Sequence, residues 1–504
     1  MAAPVGFDNQ KYVEEQTRAI TERAARIGGK LYLEFGGKIA YDFHAARVLP
    51  GYDPNVKIRL LQALRDQAEI LVCIYAGAIE QRKVRADFGI PYDADVLRLI
   101  DDLREWGLYV RGVVITRFEN QPAAHRFKAR LERRGVPVFT HRYTSGYPTD
   151  VDRVVSEAGY GANEYIPTER RVVVVAGPGP GSGKLATCLS QLYHEHRRGV
   201  PAGYAKFETF PIWNLPLKHP VNVAYEAATV ELRDVNQIDP YHLAAYGVQA
   251  VNYNRDIEAF PLLARILERI GSDLRYQSPT DMGVNRAGFA IVDDGVVRAA
   301  AEQEIIRRHF RYACEYALGL VEKEDAERAQ LIMNELGLDE TKRPVVVPAR
   351  EAAAAAEAAG KGNNGVYCGA AIALPGGPII TGKNSPLMHA ASAAVLNALK
   401  HLSGLPDEIP LLSPSVIASI AGLKKDVLKM KAISLNLDET LIALGISATT
   451  NPAAQMAIER LRDLQGCEFH TTHLPTSGDE AGLRKLGLNI TSDPQFASAS
   501  LATG

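Results

Sequence analysis

Four consecutive valines that run straight into a glycine-rich turn and a lysine, RRVVVVAGPGPGSGKLATCLSQLY from Arg170 to Tyr193, constrain this chain more than any other stretch. A β-branched run of this length is too short for a helix and is apolar on both faces, which predicts an interior strand of a parallel sheet. Gly177, Gly179, Gly181 and Gly183 follow, with Ser182 between the last two. Backbone without Cβ lets successive N–H groups turn inward around an anion, and Lys184 adds positive charge at the mouth of the next helix. The layout predicts a phosphate cradle. It departs from the P-loop pattern G-x-x-x-x-G-K-[ST] at two places: Pro178 replaces the first glycine, and Leu185 replaces the hydroxyl that holds magnesium. ATP hydrolysis therefore does not follow from it, and a tight strand-to-helix turn without ligand is the alternative.

At 504 residues, 46% hydrophobic and 23% charged, the chain is long enough for two or three domains with large cores. A net charge of −2 gives no overall attraction to nucleic acid or anionic lipid, so neither is an expected partner. No apolar run reaches the length of a membrane span, and the first residues lack the layout of a signal peptide, so the cytoplasm is the expected compartment. Five cysteines without short pair spacings suit reduced thiols. A homo-oligomer is the expected assembly.

Short β-rich runs from Leu31 to Arg142 (LYLEFG, ILVCIYAG, VRGVVITR, VPVFTHR) alternate with amphipathic segments such as Asp93 to Glu105, where Val96, Leu97, Ile100 and Leu103 share a face. This is the pattern of a Rossmann-like, mostly parallel sheet with crossover helices, and the valine strand joins it. A ligand on the cradle would then lie outside the carboxyl ends of the strands. The expected division is an α/β domain over 1–238, a mainly helical domain over 239–340 and a C-terminal α/β domain over 341–504. In the last, Arg343 to Ala349 (RPVVVPA) reads as a strand, the alanine-rich run behind it as a helix, and two apolar runs around Pro375-Gly376-Gly377-Pro378 as a hairpin.

After the cradle helix, prolines 211, 216, 220 and 240 break up a stretch crowded with Lys206, Glu208, Asn214, Lys218, His219, Asn222 and Glu226. The loop SPTDMGVNRAG offers Ser278, Thr280, Asp281, Asn285 and Arg286 to a sugar, an amide or a phosphate. Near the C-terminus, Cys467, His470 and His473 are zinc-compatible types, but in a straight strand 467 and 473 would face away from 470, so a metal needs a bend or a fourth ligand.

Two resemblances add to this reading. The order hairpin, Gly382-Lys383-Asn384, then a helix opening with His389-Ala390 resembles the core of the cytidine-deaminase fold. Ala391 stands where that family has its catalytic glutamate, and no Pro-Cys-x-x-Cys follows, so the likeness implies an α/β/α layout without deamination. Over nearly its whole length the chain resembles a bacterial family of uncharacterised proteins, domain-of-unknown-function family 1846, also called uncharacterised protein family 0371. The motifs that carry the likeness are AGPGPGSGKLATCLSQLYHE, YAKFETFPIWNLPLKHPVN, DVNQIDPYHLAAYG, SPTDMGVN and CEFHTTH. Some members bear an automated label of ATP-dependent peptidase, yet neither H-E-x-x-H nor G-x-S-x-G occurs in this chain.

The leading expectation is an enzyme that binds ATP, another nucleotide or a small phosphorylated metabolite on the loop from Gly177 to Lys184, with phosphoryl transfer as its chemistry. Lys184 would neutralise the phosphates, Asp281 or Glu208 would act as base or magnesium ligand, and Asn285 would orient a second substrate held by Lys218, His219, Ser278, Thr280 and Arg286. A non-catalytic metabolite sensor or scaffold and a metal-dependent hydrolase built on Cys467 to His473 are the alternatives.

Overall fold

A computed structural model describes residues 4–85, 89–272 and 275–498, and the chain divides into two compact units, Pro4–Ala301 and Glu302 onward. The first is built on six parallel strands. In chain order these are β1 (Lys30–Phe35), β2 (Ala68–Tyr75), β3 (Val110–Thr116), β4 (Val138–Thr140), β5 (Val172–Ala176) and β6 (Ala202–Phe207). They lie in the order β4-β3-β2-β5-β1-β6, every pairing parallel. The four valines thus occupy an interior position, with β2 on one side and β1 on the other, and all five residues of β5 are buried.

Because alternate strand residues point to opposite faces, Tyr32, Leu71, Cys73, Val173, Val175 and Tyr204 form one apolar surface. Two helices cover it. Lys184–Arg197 buries Cys188, Leu189 and Leu192 there, and Asn254–Ile270 adds Phe260, Leu263, Ile266 and Leu267, the stripe its sequence spacing requires. Leu33, Phe35, Val72, Ile74, Val174 and Phe207 are buried on the opposite face, where the Phe35 and Phe207 rings stack at 4.1 Å.

Strand order sets where a ligand can lie. From β2 the chain moves toward β3 and β4, whereas from β5 it passes over β1 to β6. Connections leaving the carboxyl ends of the neighbours β2 and β5 therefore diverge, which opens a crevice at that point. The glycine loop leaves β5 into this crevice.

The second unit holds a four-stranded sheet of β7 (Gly369–Ala373), β8 (Ile379–Lys383), β9 (Glu468–Thr471) and β10 (Asn489–Ser492), in the order β8-β7-β9-β10. β7 and β8 form the expected antiparallel hairpin, and β9 and β10 run parallel. Helix Ala390–Leu402 buries Ala394, Val395, Ala398 and Leu399 in the core beside it. The run Arg343 to Ala349 is not the strand its valines suggest: a turn at Arg343 leads into helix Val346–Ala358. Pro348 falls in the first helical turn, where a missing N–H leaves no bond unmade, and the alanines behind it supply helix propensity. Arg343 is itself buried, donating to Thr491 Oγ1 at 2.8 Å and the Asn489 carbonyl at 2.7 Å and pairing with Glu468 at 2.5 Å.

Candidate functional site

Between β5 and helix Lys184–Arg197 the backbone alternates in hand. Gly181 has φ +73° and Gly183 φ +89°, values that any other residue would adopt only under strain. Alternation of this kind turns successive N–H groups toward one concavity. Among the described residues, no backbone N–H from Gly179 to Ala186 donates to a protein acceptor; the first bond of the helix is Thr187 N–H to the Gly183 carbonyl at 3.0 Å. The four free donors that open any α-helix are thereby continued backward into the loop. Ser182 is 3% exposed, and among the described residues its hydroxyl has no partner. That Oγ lies inside the loop, 2.4 Å from where a Cβ on Gly177 would stand.

The loop is held from below and covered by cations. Thr116, at the end of β3, donates its hydroxyl to the Ser182 carbonyl at 2.8 Å. Lys184 folds back so that Nζ lies 3.5 Å from the Gly179 carbonyl, over the loop it heads. Arg117 follows Thr116 with φ +49°, its guanidinium 3.5 Å above the Tyr75 ring and bonded to the Gly181 carbonyl. Beside Gly177 and Pro178 a narrow cleft of 20 Å³ is walled by Lys38, Tyr41, Asp95, Arg98 and Asp102.

A second polar cluster lies two strands away, at the end of β6. Lys206 Nζ is 3.2 Å from Glu208 and bonded to Asp256 at the start of helix Asn254–Ile270. On β1, Glu34 accepts the Tyr204 hydroxyl at 2.7 Å. Burial raises the Glu208 carboxyl to about 7; Lys206 opposes the rise, while the negative charges of Asp256 and Glu34 add to it. Burial works against the charge of Lys206, but Asp256 and Glu208 outweigh it and hold the ammonium above its usual range. A carboxyl that titrates near neutrality can both give and take a proton. With strands about 4.8 Å apart, Glu208 stands roughly 10 Å along the sheet edge from the glycine loop.

The loop from Ser278 to Arg286 runs beside β6, where Val284 N–H bonds the Lys206 carbonyl at 3.0 Å. Asn285 Oδ1 accepts the Glu208 N–H at 2.7 Å, so this residue fixes the backbone that carries Glu208. The remaining side chains are largely engaged within the protein. Ser278 accepts from Asp281 N–H and meets His242 Nδ1, both at 2.9 Å, and Thr280 donates to Asp239 at 2.7 Å. Asp281 accepts from the Tyr246 hydroxyl at 3.1 Å, and Arg286 lies over Phe289. His219, 1% exposed, caps helix Pro220–Ala228 through Nδ1 and meets Asp294 at 2.9 Å through Nε2; Lys218 beside it is exposed.

In the second unit, Cys467, His470 and His473 do not converge. Among the described residues, no group of three or more histidine, cysteine, aspartate or glutamate side chains is arranged to hold a metal ion. Cys467 is in the core, His470 bonds Thr491 Oγ1 at 2.9 Å, and His473 bonds Thr472 Oγ1 at 2.9 Å. His389 precedes helix Ala390–Leu402 and bonds Asp479 at 2.6 Å. An open cavity of 660 Å³ is lined by Arg350, Glu340, Asp493, Tyr367 and His473. Its size exceeds that of the cleft at the glycine loop, and within it Arg350 is bonded to Asp493 at 2.6 Å and Glu340 at 2.5 Å.

Sequence reading did not single out Arg117, Glu34 or Asp256. The signal for the first two was present: a charged residue at the end of an apolar strand run, where a parallel sheet opens its crevice.

Comparison with known proteins places two family models on the chain, "Domain of unknown function DUF1846, N-terminal" over residues 5–337 and "Domain of unknown function DUF1846, C-terminal" over residues 341–501. It is 55% identical over 498 residues to a UPF0371 protein of Clostridium tetani, with 99% of both chains covered. A UPF0371 protein of Clostridium botulinum strain 657 is 56% identical over 499 residues, again with 99% of each chain covered.

Proposed function

This chain belongs to the DUF1846 family, and on its own geometry we propose that the loop Gly177 to Lys184 binds the phosphate of a nucleotide or another phosphorylated metabolite. The observation that carries the reading is the run of amides from Gly181 to Ala186, uncommitted among the described residues, around a buried Ser182 hydroxyl likewise unpartnered there. Buried polar groups are nearly always hydrogen-bonded, so a concavity of open donors with a lysine above it fits an anion. The order strand, glycine loop, lysine-headed helix is P-loop-like in layout.

Phosphoryl transfer is the chemistry this arrangement supports best, because that reaction depends on positioning and charge neutralisation. The amides and Lys184 hold the phosphate. Glu208, titrating near neutrality, lies at the far end of a ligand about 10 Å long, the reach of a phosphorylated sugar or nucleoside and not of a bare phosphate. There it can give or take a proton at a hydroxyl of that far end, and Asn285 and Lys206 keep it in position.

Thermal-shift titration of the full chain with ATP, GTP and sugar phosphates tests the reading. At least one should raise the melting temperature, and Lys184→Ala should weaken its binding about 10- to 100-fold, as loss of a charge-assisted bond does. Absence of any response, or an equal response from Lys184→Ala, would contradict it.

A further inference from the structure

We propose that the anion in this loop is held without a divalent cation, Arg117 supplying the charge that magnesium supplies in loops of the G-x-x-x-x-G-K-[ST] pattern; the inference rests on the reading of the loop as a phosphate site. Where that pattern places a metal-binding hydroxyl, this chain has Leu185, whose side chain packs against the apolar core under the helix. Two neighbouring threonine hydroxyls are already engaged. Thr187 is fully buried and accepts the Cys73 thiol at 3.4 Å, and Thr116 gives its proton to the Ser182 carbonyl. The groups at the loop are the amide, Lys184 and Arg117 nitrogens and the Ser182 hydroxyl, and in the cleft beside it the Asp95 carboxylate is already paired with Arg98 at 2.9 Å; N–H groups bind phosphate oxygens and repel metal ions.

Arg117 is built for such a role. It sits in the left-handed region at φ +49°, an uncommon conformation for a residue with a long side chain. Its guanidinium carbon is 3.5 Å from the centre of the Tyr75 ring, which fixes the plane of the group at the carboxyl end of β2 and β3. Among the described residues, one of its five N–H donors is engaged, on the Gly181 carbonyl. Lys184 and Arg117 together bring two positive charges to the concavity, which matches a phosphate dianion without help. A planar fork also binds two oxygens of one phosphate at once, as a lysine does not. The ligand class this selects is a phosphate ester or diphosphate in its free form, not the magnesium chelate.

Isothermal titration of the full chain with inorganic pyrophosphate, first in EDTA and then in excess magnesium, separates this inference from the reading beneath it. We expect binding in EDTA that magnesium does not tighten. Arg117→Asn, which tolerates the left-handed backbone, should weaken it about 10- to 100-fold. Tyr75→Leu, which keeps the charge but removes the platform, should weaken it about 3- to 10-fold. Binding that needs magnesium, or that both variants leave unchanged, overturns the role of Arg117 and leaves the phosphate loop standing. No binding in either buffer overturns both.

Discussion

At the scale of single residues, Ser182 is the sharpest indicator. A hydroxyl that is 3% exposed and makes no hydrogen bond among the described residues is a cost to the folded chain unless something else completes it. If that partner is a ligand, Ser182→Ala should leave the melting temperature of the free protein unchanged or slightly raised, because the variant removes an unsatisfied group. The same variant should reduce the melting shift produced by a bound phosphate compound. A free protein destabilised by about 1 kcal/mol or more would mean that the hydroxyl has a partner within the chain. Ser278, Thr280 and His219 show the opposite case: their polar atoms are matched to Asp281, Asp239 and Asp294, so they shape loops and caps. Composition marked all of these residues alike. What separates them is whether a partner distant in sequence reaches them, and that depends on the fold.

Between elements, the cluster that joins β6 to helix Asn254–Ile270 makes stability depend on pH. Burial lifts Glu208 from an ordinary 4.5 to about 7 in the presence of Lys206, Asp256, Glu34 and Tyr253. Between those values the folded chain holds a proton that the unfolded chain has released. The stability this contributes is complete below about 4.5 and is lost as pH rises through about 7. Glu208→Gln lacks the titration, so its melting temperature relative to the parent protein should climb as the pH is raised from about 5 to about 8. A constant difference across that range would mean that the carboxyl is ionised throughout. The elements themselves were legible in sequence wherever their pattern was strong, as with the valine strand, the glycine turn, helix Tyr92–Glu105 and the β7–β8 hairpin. The run at Arg343 to Ala349 was misread because valines between prolines look like a strand, whereas the alanine helix that follows extends back over them.

For the whole molecule, strand order was what the sequence withheld. Thr116 and Ser182 are 66 residues apart, and only the order β4-β3-β2-β5-β1-β6 brings the end of β3 beneath the glycine loop. The same order puts Arg117 over Tyr75 and sets Glu208 two strands from Lys184, so the second cation and the spacing of the candidate site emerged only with the fold. The chain divides into the unit that carries this sheet and a second unit from Glu302 onward whose Cys467, His470 and His473 are turned to separate partners. The account stands on the convergence of backbone amides at one point of one unit. Crystals of the full chain grown with tungstate, a heavy phosphate mimic, test this directly through the anomalous difference map. The account predicts a peak within hydrogen-bond reach of the amides of Gly181 to Lys184 and of the Lys184 ammonium. An unoccupied loop with tungstate bound elsewhere, such as the cavity beside Arg350, would contradict it.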